Sequence, residues 1–249
     1  MKRKVVLITG GSRGIGAETA ILAASKGWDV CVSYRCRASE AADVVNEIKG
    51  YGRRAFAFRA DLASEEDIIS LFKSIDGEFG GLDALVNNAG IIAPQSQLAD
   101  MTTARIQNIF NINVVGSFIC AREAIRRMSK SRGGEGGSIV NVSSAAARIG
   151  SPNEFIDYAA SKGAIDTLTL GLSKEVADDG IRVNAVRPGL IETELHGDAG
   201  DISRPEKLKN SIPMRRAGSA SEVASSIVWL MSDEASYVNG ALLDVAGGR

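Results

Sequence analysis

A chain of 249 residues, 45% of them hydrophobic, is long enough to bury one sizeable core. Its formal net charge of −1, with basic and acidic side chains interspersed, gives no electrostatic footprint for nucleic acid or an anionic membrane. Cys31, Cys36 and Cys120 form no C-x-x-C pair and no even-numbered disulfide framework. The lone His196 cannot make a His-rich metal site, and without a G-x-S-x-G elbow it gives little support to a serine-hydrolase triad; no metal is expected.

The basic residues Lys2, Arg3 and Lys4 resemble the start of a signal peptide. The apolar run Val5-Val6-Leu7-Ile8 is only strand-sized, however, and Gly10, Gly11, Ser12 and Arg13 follow at once, so the chain is expected to be cytoplasmic. From there strands and helices alternate. Residues 5–9 read as a buried strand and 15–26 as a helix, then 30–34 as a strand and 39–49 as a helix. Residues 54–59 make a third strand, followed by a helix over 65–78 whose Ser64-x-x-Asp67 start reads as a capping box. Residues 82–86 form a fourth strand, before one long helix from about 103 to 127. Then come strand 138–142, helix 156–178, strand 181–186, helix 221–231 and a closing strand, 241–244. Strict βαβα alternation with continuously apolar strands predicts an α/β fold, a doubly wound parallel sheet with helices on both faces. No repeat or linker divides the chain, so residues 1–249 read as a single domain. The weakly patterned stretch 190–210 is too long for a plain connector and reads as a substrate lid.

The first strand runs into Thr9-Gly10-Gly11-Ser12-Arg13-Gly14-Ile15-Gly16 as a helix begins. Glycines there let the main chain approach a phosphate, and the helix start offers free N–H groups to a pyrophosphate. A Walker A loop is excluded, because no Gly-Lys-[Ser/Thr] closes the motif. The second strand ends Ser33-Tyr34-Arg35-Cys36-Arg37, with no carboxylate before Glu40 to hold a ribose 2′-hydroxyl. Arg35, and Arg13 within the turn, suit a 2′-phosphate instead, so NADP(H) is the expected cofactor; Arg37 is equally well read as a solvated charge. Tyr158 and Lys162 lie four residues apart, on one helical face. A lysine ammonium so placed, together with the positive nicotinamide of an oxidised dinucleotide, is expected to pull a tyrosine down from its ordinary pKa of about 10 toward neutrality.

The G-x-x-x-G-x-G spacing of Gly10, Gly14 and Gly16 resembles the short-chain dehydrogenase/reductase family. So do, in order, Asp61-Leu62, Asn87-Asn88-Ala89-Gly90, Asn113, Ser143-Ser144, Tyr158-x-x-x-Lys162 and Pro188-Gly189. The motif style is similar to β-ketoacyl-acyl-carrier-protein reductases and to glucose and other sugar dehydrogenases. The resemblance implies a three-layer αβα Rossmann fold with a seven-stranded sheet in the order 3-2-1-4-5-6-7. It also implies an NADP(H)-dependent enzyme interconverting a carbonyl and a secondary alcohol. In that reading Tyr158 is the acid/base, Lys162 supports it and holds the nicotinamide ribose, Ser144 binds the substrate oxygen and Asn113 places a relay water. Ser143 is a lesser candidate, because the interval from Ser144 to Tyr158 is about one residue longer than the family's common spacing, with Pro152 and Asn153 in the loop. The implied cofactor site comprises Gly10, Ser12, Arg13, Gly14, Ile15, Gly16, Tyr34, Arg35, Asp61, Leu62, Asn88, Ala89, Gly90, Tyr158, Lys162, Pro188, Gly189, Ile191 and Thr193. A non-catalytic dinucleotide sensor on the same fold is the alternative. Arg126, Arg127, Lys130 and Arg132 would suit an acidic carrier protein or, more ordinarily, complement a helix C-terminus. A small-molecule substrate and a homotetramer are the expected partners.

Overall fold

The computed structural model describes residues 3–249, the side chain of His196 excepted; the readings of Lys2 and of the His196 side chain lie outside the described residues. Seven strands form one parallel sheet: β1 (Val5–Ile8), β2 (Asp29–Tyr34), β3 (Ala55–Arg59), β4 (Ala84–Asn87), β5 (Gly137–Val142), β6 (Ile181–Pro188) and β7 (Leu242–Val245), in the order β3-β2-β1-β4-β5-β6-β7. Helices α1 (Gly14–Ser25), α2 (Ala38–Gly50) and α3 (Glu65–Phe79) follow the first three strands. Next come α4 (Thr103–Phe110) and α5 (Gly116–Met128), then the single turn α6 (Ala146–Ile149) and the long α7 (Ile156–Glu175). Two short helices, α8 (Leu195–Asp198) and α9 (Arg204–Leu208), precede α10 (Ala220–Met231). This is the Rossmann-like α/β architecture expected from the alternation.

Side chains alternate across a pleated strand, and β1 shows how that builds two cores from one apolar run. Val6 and Ile8 pack with α1, α2 and α10, whereas Val5 and Leu7 pack with α3 and α5. Cys31 and Cys120 lie buried in the second core, where loss of solvation pushes both thiols up, Cys120 to about 12. They behave as small apolar residues, as the sequence suggests.

Three local expectations change. The helix expected over 103–127 is interrupted by a π-turn at Asn111–Val115. The extra residue is fixed by Asn113, which bonds the main chain of Ile91, and by Gly116, where a Cβ would stand 2.6 Å from the Leu62 carbonyl oxygen. At the start of α3, Ser64 does accept the Asp67 N–H (3.1 Å), but the Asp67 carboxylate reaches past it to the N–H of Asp61 (2.9 Å). The reciprocal capping box belongs instead to α10, between Ser219 and Glu222. Finally, the basic residues at the end of α5 are spoken for: Arg127 bonds Asp76 and Glu123, and Arg126 bonds Glu123. Two of the four basic residues are thus tied to carboxylates of this chain, which neither reading of the cluster anticipated.

No helix among the described residues is long and apolar enough to cross a membrane.

Candidate active site

The carboxyl ends of β1, β2, β4, β5 and β6 open into two adjoining cavities, as expected for ligands on an open parallel sheet. One runs over the glycine turn. It is lined by Gly10, Ser12, Arg13, Gly14, Ile15, Gly16, Tyr34, Arg35, Asp61, Leu62, Asn88, Ala89, Gly90 and Thr193, so that fourteen of the expected cofactor residues converge there. The other holds Ser144, Tyr158, Lys162, Pro188, Gly189 and Ile191, and shares Ile15, Asn88, Gly90 and Thr193 with the first. Asn113 lines neither; it is fully buried behind them.

The turn is shaped for a group that needs main-chain contact. Gly10 and Gly14 have φ of +65° and +53°, and a Cβ on Gly16 would meet the Gly10 carbonyl and stand 2.5 Å from Asn88 Nδ2. Asn88 spends its amide on the carbonyls of Thr9 (2.8 Å) and Gly10 (3.1 Å), clamping the turn to the end of β4. The start of α1 carries no side-chain cap and no acidic residue in its first turn. Its first N–H groups are therefore left for an anion, in contrast to the serine-capped starts of α3 and α10. These features fit a dinucleotide pyrophosphate. Gly16→Ala is expected to cost on the order of 1–3 kcal/mol by overpacking and to weaken dinucleotide binding, checked by thermal melts and NADPH titration; wild-type affinity would contradict the cradle.

No acid lines the end of β2. Arg35 is exposed at the cleft with no ion pair among the described residues, whereas Arg37 pairs with Glu40. Arg13 pairs with Asp198 from α8, a contact between the turn and the segment expected to be a lid. That segment, expected as irregular, contains α8 and α9.

In the second cavity the two serines separate. Ser143 is buried and donates to the Lys162 carbonyl (3.1 Å), so it faces the core. Ser144 lines the cavity with Tyr158 and accepts the Ala146 N–H (3.1 Å), and its hydroxyl acts to lower the Tyr158 pKa. The long interval between them is absorbed by residues 150–153, where Gly150, Ser151 and Asn153 take positive φ while Pro152 and Asn153 lie exposed.

Lys162 is buried beneath Tyr158, its Nζ 5.6 Å from the ring centroid and 2.8 Å from the Val142 carbonyl that it serves as donor. A Cβ on Gly90 would stand 3.4 Å from that Nζ and from Asn113 Oδ1, in ordinary contact with both, so the three residues pack side by side. Asn113 Oδ1 accepts the Ile91 N–H (2.8 Å), and its Nδ2 donates to the Ile91 carbonyl (2.9 Å) and to Ser161 Oγ (3.1 Å).

The electrostatics differ from the sequence expectation. Burial raises Tyr158 above its ordinary value, and the group opposing that rise is the Ser144 hydroxyl rather than Lys162. Lys162 itself is pushed down to about 8 by burial, with Asp166 one turn along holding it up. An ammonium that has lost its own solvation cannot by itself make the neighbouring phenol acidic.

Sequence reasoning missed the support behind this pair. Asp157, nearly inaccessible, accepts the Tyr158 N–H (2.9 Å) and is held bidentately by Arg105 (2.7 and 3.2 Å), which also donates to the Pro94 carbonyl. The partners lie 52 residues apart, and only the adjacency of an acid to Tyr158 hinted at them.

A Rossmann-like sheet with a glycine-turn cleft beside a half-buried tyrosine and a buried lysine fits the class of dinucleotide-dependent oxidoreductases. The family described as enoyl-(acyl carrier protein) reductase matches residues 10–249. An uncharacterised oxidoreductase, YgfF, of Escherichia coli (strain K12) is 52% identical over 245 residues, covering 98% of this chain and 99% of that one. A 3-oxoacyl-[acyl-carrier-protein] reductase, FabG, of Staphylococcus aureus (strain Mu50) is 36% identical, covering 98% and 97%. The crystal structure of a short chain dehydrogenase from Burkholderia cenocepacia J2315 in complex with NADP superposes with a TM-score of 0.90 at 34% identity, over 98% of this chain and 97% of that one. The chain belongs to the short-chain dehydrogenase/reductase family and is an oxidoreductase.

Proposed function

We propose that the protein is an NADP(H)-dependent oxidoreductase that interconverts a carbonyl and a secondary alcohol, with Tyr158 as the proton donor and acceptor. The observation that carries this reading is the meeting of Ser144, Tyr158 and Lys162 in one cavity that opens onto the glycine-turn cleft. A nicotinamide dinucleotide, when bound, supplies or accepts the hydride and, oxidised, adds positive charge favouring phenolate. Tyr158 delivers a proton to the carbonyl oxygen, and Ser144 shares that oxygen and holds the phenol in line. Lys162 uses one N–H on Val142 and has two more to offer the cofactor ribose and the phenol. Asn113 has its side chain committed to Ile91 and Ser161, so we assign it the positioning of those two groups. Residues 190–210 act as the lid of a single-domain enzyme, with Thr193 packed over Gly14. NADPH oxidation against a panel of aldehydes and ketones tests the reading; no turnover with any of them opposes it.

The preference for NADP(H) rests on Arg13 and Arg35 and on the missing acid after β2. A charge-assisted contact is worth about 1.5–3 kcal/mol, so Arg35→Ala should lower kcat/KM for NADPH by roughly 10- to 100-fold and leave NADH almost unaffected. An equal loss with both nucleotides would reject the assignment.

Because Lys162 titrates at about 8 in the protein, kcat/KM for NADPH should fall as the pH rises through that value and the ammonium is lost. Lys162→Met should flatten the profile; an unchanged profile in that variant would count against Lys162 as the titrating group. The exposed apolar Val115 and Phe118 at the start of α5, Trp229 near the end of α10 and Tyr237 in the turn before β7 are consistent with a homotetramer joined through both faces. Sedimentation velocity distinguishes it from a dimer.

A further inference from the structure

Most polar groups along the substrate cavity are engaged by the protein itself, and that narrows the ligand. Among the described residues no Asp or Glu lines it. Arg204, from α9, is largely buried; Glu154 holds it with contacts of 2.9 and 2.5 Å, and it stacks over Phe155 with Cζ 5.1 Å from the ring centroid. Lys162 donates to the Val142 carbonyl, Ser143 to the Lys162 carbonyl, and Asn88 to the carbonyls of Thr9 and Gly10. Thr193 packs over Gly14 on the cofactor side. Arg249 has its carbonyl held by Arg148 (2.7 Å) and borders equally a neighbouring hollow that contains Asp244 and Glu222. What remains is the hydroxyl pair of Ser144 and Tyr158, which the reacting oxygen claims, and the nearly buried Ser151. Around them the wall is hydrocarbon, made by Ile92, Ala145, Ile149, Phe155, Leu190 and Leu195.

A ligand hydroxyl placed against such a wall gives up its water and finds no partner, and a carboxylate gives up far more. The cavity therefore takes hydrocarbon and resists polar decoration. Building on the carbonyl chemistry above, we propose that the substrate is an uncharged ketone whose body beyond the carbonyl is hydrocarbon. Its oxygen meets Tyr158 and Ser144, and its body packs on Ile149, Phe155 and Leu190 beneath Leu195 of the lid. Sugars, which need several hydroxyl partners, and oxo acids, which need a free cation, are disfavoured.

The test compares a straight-chain methyl ketone with two analogues of the same skeleton, one dihydroxylated and one carboxylated at the far end, by NADPH oxidation. The wild-type protein should favour the plain ketone over each by about 10- to 100-fold in kcat/KM, the scale on which an apolar pocket rejects an added hydroxyl. Ile149→Asn and Leu195→Asn each put an amide on the wall and should move the ratio several-fold toward the dihydroxy ketone. An analogue equal to or better than the plain ketone, or a ratio unmoved in both variants, overturns the proposal while leaving the carbonyl chemistry standing. Should none of the three be reduced, the chemistry fails, and the apolar wall is then judged by calorimetry on the matching secondary alcohols. Tighter binding of the plain alcohol than of its hydroxylated and carboxylated analogues still supports it; equal, reversed or absent binding overturns it.

Discussion

Tyr158→Phe is expected to lower kcat by roughly 100- to 10 000-fold, the range a positioned acid/base contributes, while the Kd for NADPH stays within about twofold. The argument is geometric. The phenol lines the cavity with Ser144, and burial keeps it protonated at neutral pH, ready to donate to a nascent alkoxide. The ring lines the substrate cavity and not the glycine-turn cleft, so its hydroxyl can be removed without disturbing the pyrophosphate cradle. Single-turnover kinetics and fluorescence titration of NADPH give the two numbers. Near-normal turnover in the variant would end the assignment.

The second large effect is on stability. Arg105→Leu strips the guanidinium from Asp157, whose side chain is 1% exposed, and leaves a carboxylate buried beside the start of α7. Breaking one partner of such a pair costs about 3–5 kcal/mol, and for a chain of this size that corresponds to a Tm lower by roughly 10 °C. Because Asp157 also receives the Tyr158 N–H, the first turn of α7 should loosen and kcat should fall with it. The double variant Arg105→Leu/Asp157→Asn removes the stranded charge and should recover part of the loss. Thermal unfolding followed by circular dichroism measures both; a single variant melting within about 2 °C of wild type would show that solvent reaches Asp157.

How far the sequence could be read depended on the range of the interactions involved. A doubly wound parallel sheet followed from alternation and handedness, because each crossover is settled by its immediate neighbours, whereas the strand order came with the family resemblance. The glycine turn was visible for the same reason: strand, turn and helix are contiguous from Val5 to Ser25. The π-turn was not, since Asn113 is a residue that an uninterrupted helix tolerates, and its partners Ile91 and Ser161 come from other elements. Ser143 and Ser144 could not be separated on paper, because strand ends do not announce which side chain turns inward. The upward shift of Tyr158 in the nucleotide-free chain was not legible for a related reason: i to i+4 spacing reports proximity and says nothing of the desolvation both groups suffer. The Arg105–Asp157 pair and the Arg204–Glu154 pair join segments about fifty residues apart and had no local signature.

Lys162 leaves a thermodynamic mark on the whole chain. Folding strips water from its ammonium, so the native state binds that proton less tightly than the unfolded chain does: about 8 against an ordinary value near 10.5. Below pH 8 both states are protonated and this lysine contributes no slope. Between pH 8 and 10.5 the unfolded chain holds the extra proton, and alkali therefore favours the native state, by up to roughly 3 kcal/mol from this one group. The molecule carries this buried cation as a standing debt at neutral pH, one that basic solution relieves.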